Sequence, residues 1–174
     1  MEKWEEACEV VFDLLNFHRY EWMEMTDSKK KIILDSVYDI TSGAGQCRNG
    51  KVDSGLVSKE AMEKKNRVED HFISPRSSGR AIMDDNQHIL DDFEEFKKIF
   101  RSAQTVVHIT SSQNMNMRYS HHSGVIRIFQ LTKDKYNEIK FWSEKTDEWV
   151  VGFPLAKEIP EWFTDFERKY LIRG

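Results

Sequence analysis

The amino-acid sequence predicts an α+β protein with a helical N-terminal part. Apolar side chains recur every three or four positions over residues 3–24 and 86–100, which indicates amphipathic helices. Two short β-branched segments, 105–110 and 124–131, have the composition of strands, and residues 139–153 have the pattern of a hairpin around a polar turn. Helices that alternate with short strands in this way are typical of the α+β class.

The N-terminal part begins with the helix over residues 3–24. A second helix is predicted over residues 28–40, with a run of three lysines in its first turn. Residues 41–56 contain four glycines and two serines, so we expect a linker there rather than a regular element. A short and strongly basic helix over residues 58–66 follows this linker.

In the central part, a strand is predicted over residues 68–74, and Pro75 ends it because proline cannot donate to a sheet. Residues 76–80 are predicted to form a polar turn. The helix over residues 86–100 comes next, and the strand over 105–110 ends at Thr110, which is a suitable N-cap for a helix from residue 111 onward. The later predicted elements are a strand at 124–131, hairpin strands at 139–143 and 148–153, and a helix at 160–170.

These elements divide the chain into three predicted regions. Residues 1–56 form a helical N-terminal region and linker, residues 57–131 form the central core, and residues 132–174 form a β-hairpin with a short C-terminal helix.

Composition limits the classes of function. The chain has 174 residues with a net charge of −4, so any nucleic-acid surface must be a local basic patch. The polar N-terminus and the absence of a long apolar run favour a cytoplasmic protein without a membrane partner. Cys8 and Cys47 are far apart, which excludes a disulfide framework and a cysteine-ligated structural zinc.

The pattern most typical of chemistry is Asp70 followed by His71. A carboxylate can hold a hard divalent cation, while a neutral imidazole can take a proton from an attacking water. Neighbouring residues of a strand point to opposite faces, but the loop that follows a strand can bring both side chains to one pocket. Arg76 and Arg80 follow closely, and a guanidinium group matches the oxygens of a phosphate.

Residues 70–79, Asp-His-Phe-Ile-Ser-Pro-Arg-Ser-Ser-Gly, resemble the first signature of the HNH (His-Me finger, ββα-metal) endonucleases, with one extra residue before the proline. The resemblance implies a ββα-metal finger core and a hydrolase that cleaves DNA phosphodiester bonds, as phage and homing enzymes do. It implies that His71 is the general base and that Asp70 is a ligand of Mg²⁺ or Mn²⁺. Arg76 would assist His71 by contacting the phosphate.

The family also uses an asparagine that orients the base and a later histidine that binds the metal. Asn114 is preferred for the first role because it follows the strand over 105–110, with Asn86 as the alternative. His121 and His122 lie seven and eight residues beyond Asn114, and family spacing favours His122 as the ligand.

Basic residues around these motifs are expected to bind DNA, and the sequence leaves open whether the protein is a homodimer. The alternative to an enzyme is a non-catalytic DNA-binding or protein-interaction module on the same finger scaffold. The expected DNA-binding residues are Arg80, Lys64, Lys65, Arg67 and Arg118.

Overall fold

A computed structural model describes residues 2–42, 50–64, 66–116, 131–150 and 152–170. These residues form an α+β fold in which helices pack around a five-stranded mixed sheet, so the predicted fold class is confirmed. Within the described ranges, no helix combines the length and the apolar character needed to cross a bilayer.

The sheet has the strand order β2-β3-β1-β4-β5. Strands β1 and β3 are parallel, and all other neighbouring pairs are antiparallel. The strands are β1 Val52–Ser58, β2 Val68–His71, β3 Thr105–Ile109, β4 Phe141–Ser143 and β5 Glu148–Val150.

The helices precede, separate and follow these strands. The 3₁₀ helices Trp22–Glu24, Gln87–Asp91 and Ala156–Glu158 connect longer elements within the described ranges. The α-helices are α1 Lys3–His18, α2 Asp27–Ser42, α3 Lys59–Lys64, α4 Pro75–Asp85, α5 Phe93–Gln104, α6 Ser111–Asn116, α7 Thr132–Lys135 and α8 Glu161–Tyr170.

Residues 52–56, predicted as part of a linker over 41–56, instead belong to the central strand β1. Leu56 and Val57 are buried in the sheet, and the register of β1 against β3 shifts between Asp53 and Val57. Gly55 adopts a φ of 74°, and its N–H donates to the Asp53 carboxylate at 2.8 Å. A residue without a Cβ is favoured at that φ, so the glycine that suggested a linker in fact serves an irregular strand.

Helix α4 corrects the predicted polar turn at residues 76–80. The Ser74 hydroxyl accepts a hydrogen bond from the Ser77 N–H, and Pro75 occupies the first helical position. Both features are typical of a helix N-terminus. The predicted helix over 86–100 is also shifted, because α5 begins only after Asp92, whose carboxylate accepts from Glu94 N–H at 2.8 Å.

The C-terminal hairpin and helix are confirmed. Trp142 and Trp149 face each other across β4 and β5 with ring centroids 5.2 Å apart, and α8 lies within the predicted range. The first predicted helix is shorter than expected, since α1 ends at His18. The predicted strand at 124–131 lies outside the described residues, apart from Leu131.

One cluster of buried apolar side chains connects the helices with the sheet. It includes Leu15, Phe100 and Phe163, which come from the three regions predicted along the chain. Strand β1 also crosses the predicted boundary at residue 56. The three regions therefore share a core in this fold.

Candidate functional site

Strands β2 and β3 and helix α6 follow one another as a ββα unit. The two strands pair antiparallel, and α6 begins two residues after β3 and contacts β2. Thr110 caps α6 as predicted, because its hydroxyl accepts from the Gln113 N–H at 3.1 Å. Helices α4 and α5 form a long insertion between the strands. The order of elements is the one that the resemblance implies, and the metal-finger interpretation stays a prediction.

His71 is the last residue of β2, and its half-buried ring faces the end of α2. The ring Nε2 lies 3.4 Å from the Thr41 carbonyl oxygen, and the ring centroid is 6.1 Å from that of Tyr38. A carbonyl oxygen only accepts, so the contact requires a proton on Nε2 and leaves Nδ1 as the basic atom of a neutral ring. Burial lowers the pKa of His71 to about 4, although the nearby Asp70 charge opposes this shift. The imidazole is therefore neutral at physiological pH.

Asp70 lies on the opposite face of β2 from His71. Its Oδ2 accepts hydrogen bonds from the Tyr136 hydroxyl at 2.6 Å and from Lys135 Nζ at 2.9 Å. The Lys135 ammonium also contacts the His71 carbonyl oxygen at 3.3 Å. The alternation of side chains along the strand thus persists to its end, and the structure does not bring the two side chains into one pocket.

Arg76 and His71 are both neighbours of the Tyr38 ring. The Arg76 guanidinium lies 3.9 Å from the Tyr38 ring centroid, and its Nε donates to Asp35 at 2.9 Å. We call His71, Tyr38, Arg76 and Asp35 the His71 cluster. Arg76 keeps 37% of its side chain exposed, so solvent and ligands can reach the guanidinium.

Sequence reasoning missed the two members of this cluster that lie on α2. Asp35 and Tyr38 are three residues apart, a spacing that places both side chains on one face of a helix. That spacing was a readable signal, but nothing in the sequence links this face to Arg76, which is 41 positions from Asp35.

The two candidate asparagines have different surroundings. Asn86 closes α4, because its side-chain Nδ2 donates to the Ala81 carbonyl oxygen at 3.0 Å. Asn114 is half-buried on α6, where its backbone N–H donates to the Thr110 carbonyl oxygen at 3.0 Å. Its neighbour Gln113 joins α6 to α3, since its Nε2 donates to Glu60 at 2.8 Å.

The predicted DNA-binding residues are spread over several environments. Arg80 has only 11% of its side chain exposed, and its Nε donates to Asp84 at 2.9 Å, so this guanidinium is held inside the helical layer. Arg67 is more exposed and pairs with Glu144 at 2.8 Å. Lys64 is exposed at the end of α3. The predicted residues outside the described ranges are Lys65, Arg118, His121 and His122.

The side chains around Asp70 show whether its carboxylate could bind the expected metal ion. A cation at Asp70 Oδ2 would have to displace the Lys135 ammonium and the Tyr136 hydroxyl, and His71 would lie across the strand from it. In the ranges that the structure describes, no group of three His, Cys, Asp or Glu side chains is arranged to hold a metal ion. The described residues do not fit a dication shared by Asp70 and His71, and the Mg²⁺ or Mn²⁺ requirement stays a prediction.

Comparisons with known proteins identify no relative of this chain. No protein-family model matches it, and no curated protein or solved structure is significantly similar to it.

Proposed function

We propose that this chain is an endonuclease that hydrolyses DNA phosphodiester bonds, with His71 as its general base. The observation that carries the proposal is the ββα succession, in which an Asp-His sequence ends the first strand and Asn114 lies on the helix after the second. The HNH-like signature at residues 70–79 points to the same activity from the sequence alone. Since a fold by itself does not define an activity, the proposal depends on Asp70, His71 and Asn114.

The chemistry assigned to the His71 cluster is a proton transfer next to a bound phosphate. The basic nitrogen of the neutral His71 ring takes a proton from water as the water oxygen attacks phosphorus. The bond from phosphorus to the leaving oxygen breaks, and that oxygen keeps the bonding electrons and takes a proton from solvent water. The Arg76 guanidinium contacts the phosphate oxygens and stabilises the charge that develops on them. Asp35 and Tyr38 orient Arg76 from one side.

A dication remains part of the proposal as a requirement to be tested. Magnesium or manganese would supply charge stabilisation at the phosphate when bound. We assign no step to it, because the Asp70 carboxylate is engaged by Lys135 and Tyr136. We also expect the protein to act in the cytoplasm, and we leave a homodimer open.

The alternative function is a non-catalytic DNA-binding or protein-interaction module on the same scaffold. The Asp70 arrangement specifically favours it. The Asp70 carboxylate accepts hydrogen bonds from Lys135 and Tyr136 and so attaches the end of α7 to β2. Asp70 therefore has a structural role that requires no substrate.

Plasmid nicking and DNA binding by the purified full chain separate these functions. The endonuclease proposal predicts conversion of supercoiled to open-circular plasmid with Mg²⁺ or Mn²⁺, and loss of that conversion with EDTA. Salt-sensitive binding of DNA without cleavage would instead select the module. If the chain neither cuts nor binds DNA, both DNA functions are wrong.

A further inference from the structure

A polar cavity of about 440 Å³ opens at the end of the sheet where β1 and β3 begin. Its walls come from the first residues of β1 and β3, the last turns of α5, the β4–β5 turn and the 3₁₀ helix after β5. Cavities of this size accommodate small ligands. Val52 and Leu155 are its only apolar lining residues in the described part of the chain, so an apolar ligand would not match it.

Three cationic side chains meet in this cavity. Lys98 and Arg101 lie on the last turns of α5, and Lys145 comes from the turn between β4 and β5. The Arg101 guanidinium also lies 5.2 Å from the Trp4 ring centroid. The Ser54 hydroxyl lines the same space and can donate to an anion, since it otherwise only accepts from the Leu56 N–H. The hydroxyls of Ser102 and Thr105 already donate to the carbonyl oxygens of Glu158 and Arg101.

Two carboxylates also line the cavity, and one of them is already engaged. The Asp53 carboxylate accepts from Gly55 N–H at 2.8 Å and lies 3.1 Å from His108 Nε2. Lys145 Nζ donates to the carbonyl oxygen of Asp53, rather than to its carboxylate, at 2.7 Å. With Glu158 as the second acid, the described lining residues comprise three cations and two acids, and their formal sum is +1. The cavity is therefore electrostatically suited to a small anion.

The cavity lies at the same end of the sheet as His71. Asp53 pairs with Val106 on β3, and Val106 pairs with His71 on β2. Two strand spacings therefore separate the Asp53 and His71 backbones, which is about 10 Å. A ligand with several phosphates could extend from one place to the other.

We infer that this cavity binds a phosphate group, supplied either by a nucleotide or by the backbone of a nucleic acid. Lys98, Arg101 and Lys145 bind the phosphate oxygens, and the guanidinium of Arg101 gives the recognition its geometry. The inference concerns binding alone and does not depend on the nuclease activity proposed for His71.

Isothermal titration calorimetry on the full chain tests this site with three probes: inorganic pyrophosphate, adenosine diphosphate and a short single-stranded oligonucleotide. The test variant is Lys98→Gln/Arg101→Gln. The control is Lys29→Gln/Lys133→Gln, which removes the same charge from two exposed lysines outside the cavity. All four side chains are exposed, so both variants are expected to fold, and thermal unfolding checks this.

We expect at least one probe to bind with one site per chain, and the cavity variant to weaken that binding about tenfold or more. The control should change it less than about twofold. Binding of pyrophosphate or adenosine diphosphate would identify a nucleotide ligand, and binding of the oligonucleotide alone would identify a nucleic-acid backbone. Equal weakening by both variants, or no saturable binding of any probe at millimolar concentration, would overturn the inference. Neither result depends on whether the chain cleaves DNA.

Discussion

At the scale of single residues, burial shifts the pKa values of Glu167 and His71 in opposite directions. Burial raises the pKa of Glu167 to about 7, although its hydrogen bonds from Thr132 oppose the shift. Burial lowers the pKa of His71 to about 4. The folded state therefore binds the Glu167 proton more tightly than the unfolded chain does, and it binds the His71 proton less tightly.

These shifts have opposite effects on stability. Stability from Glu167 is present at low pH and is lost as the pH rises from about 4.5 to about 7. Stability from His71 is present above about pH 6.5 and is lost as the pH falls to about 4. The two contributions therefore oppose each other in the wild-type chain between about pH 4.5 and 6.5.

Removing either group should expose the pH dependence of the other. In urea unfolding between about pH 4.5 and 6.5, Glu167→Gln should make stability rise more steeply with pH than in the wild type. His71→Gln should make it rise less steeply or fall. If both variants keep the wild-type pH dependence, the buried ionisation states assigned here are wrong.

The Tyr136 hydroxyl gives a second residue-scale prediction. Tyr136→Phe removes one of two donors to Asp70 Oδ2 and should lower the free energy of unfolding by about 1–3 kcal/mol. Tyr20→Phe is the matched control, since Tyr20 is 88% exposed, and it should change stability by less than about 0.5 kcal/mol. Equal stabilities in the two variants would mean that the hydrogen bond from the Tyr136 hydroxyl to Asp70 contributes nothing to stability.

At the scale of elements, local capping decides where the helices begin. Ser74→Ala removes the N-cap of α4 and should cost about 0.5–2 kcal/mol in urea unfolding. The control Ser36→Ala lies on the exposed side of α2, where the hydroxyl only bonds back to Ile32, and it should be nearly neutral. An unchanged midpoint for Ser74→Ala would show that packing, rather than the cap, sets this helix start.

The same elements show what could be predicted from the sequence. Helices α1, α2 and α5 were predicted because each has an apolar stripe at helical spacing, and the hairpin because its strands flank a polar turn. Strand β1 and helix α4 were missed since their glycines and serines have the composition of loops. Both elements are buried by residues that are distant in sequence, so local composition cannot predict their burial.

At the scale of the whole molecule, the candidate site is assembled from distant segments. The sequence predicted His71 and Arg76 as members of one site, and Tyr38 joins them in the structure. The sequence also predicted that the loop after β2 brings the Asp70 and His71 side chains to one pocket, but the structure places them on opposite faces of the strand. Tyr136, 66 positions away, binds Asp70 on the other face. Contacts of such separation arise only from the packed fold.

The central claim is that His71 activates water for DNA cleavage. The most direct measurement is the single-turnover rate of plasmid nicking by wild type, His71→Ala and His88→Ala, each checked for folding by circular dichroism. His88 is exposed and lies outside the His71 cluster, which makes it the matched control. We expect the nicking rate to fall about 10²–10⁴-fold for His71→Ala and to stay at the wild-type value for His88→Ala. Nicking by a folded His71→Ala variant at the wild-type rate would contradict it.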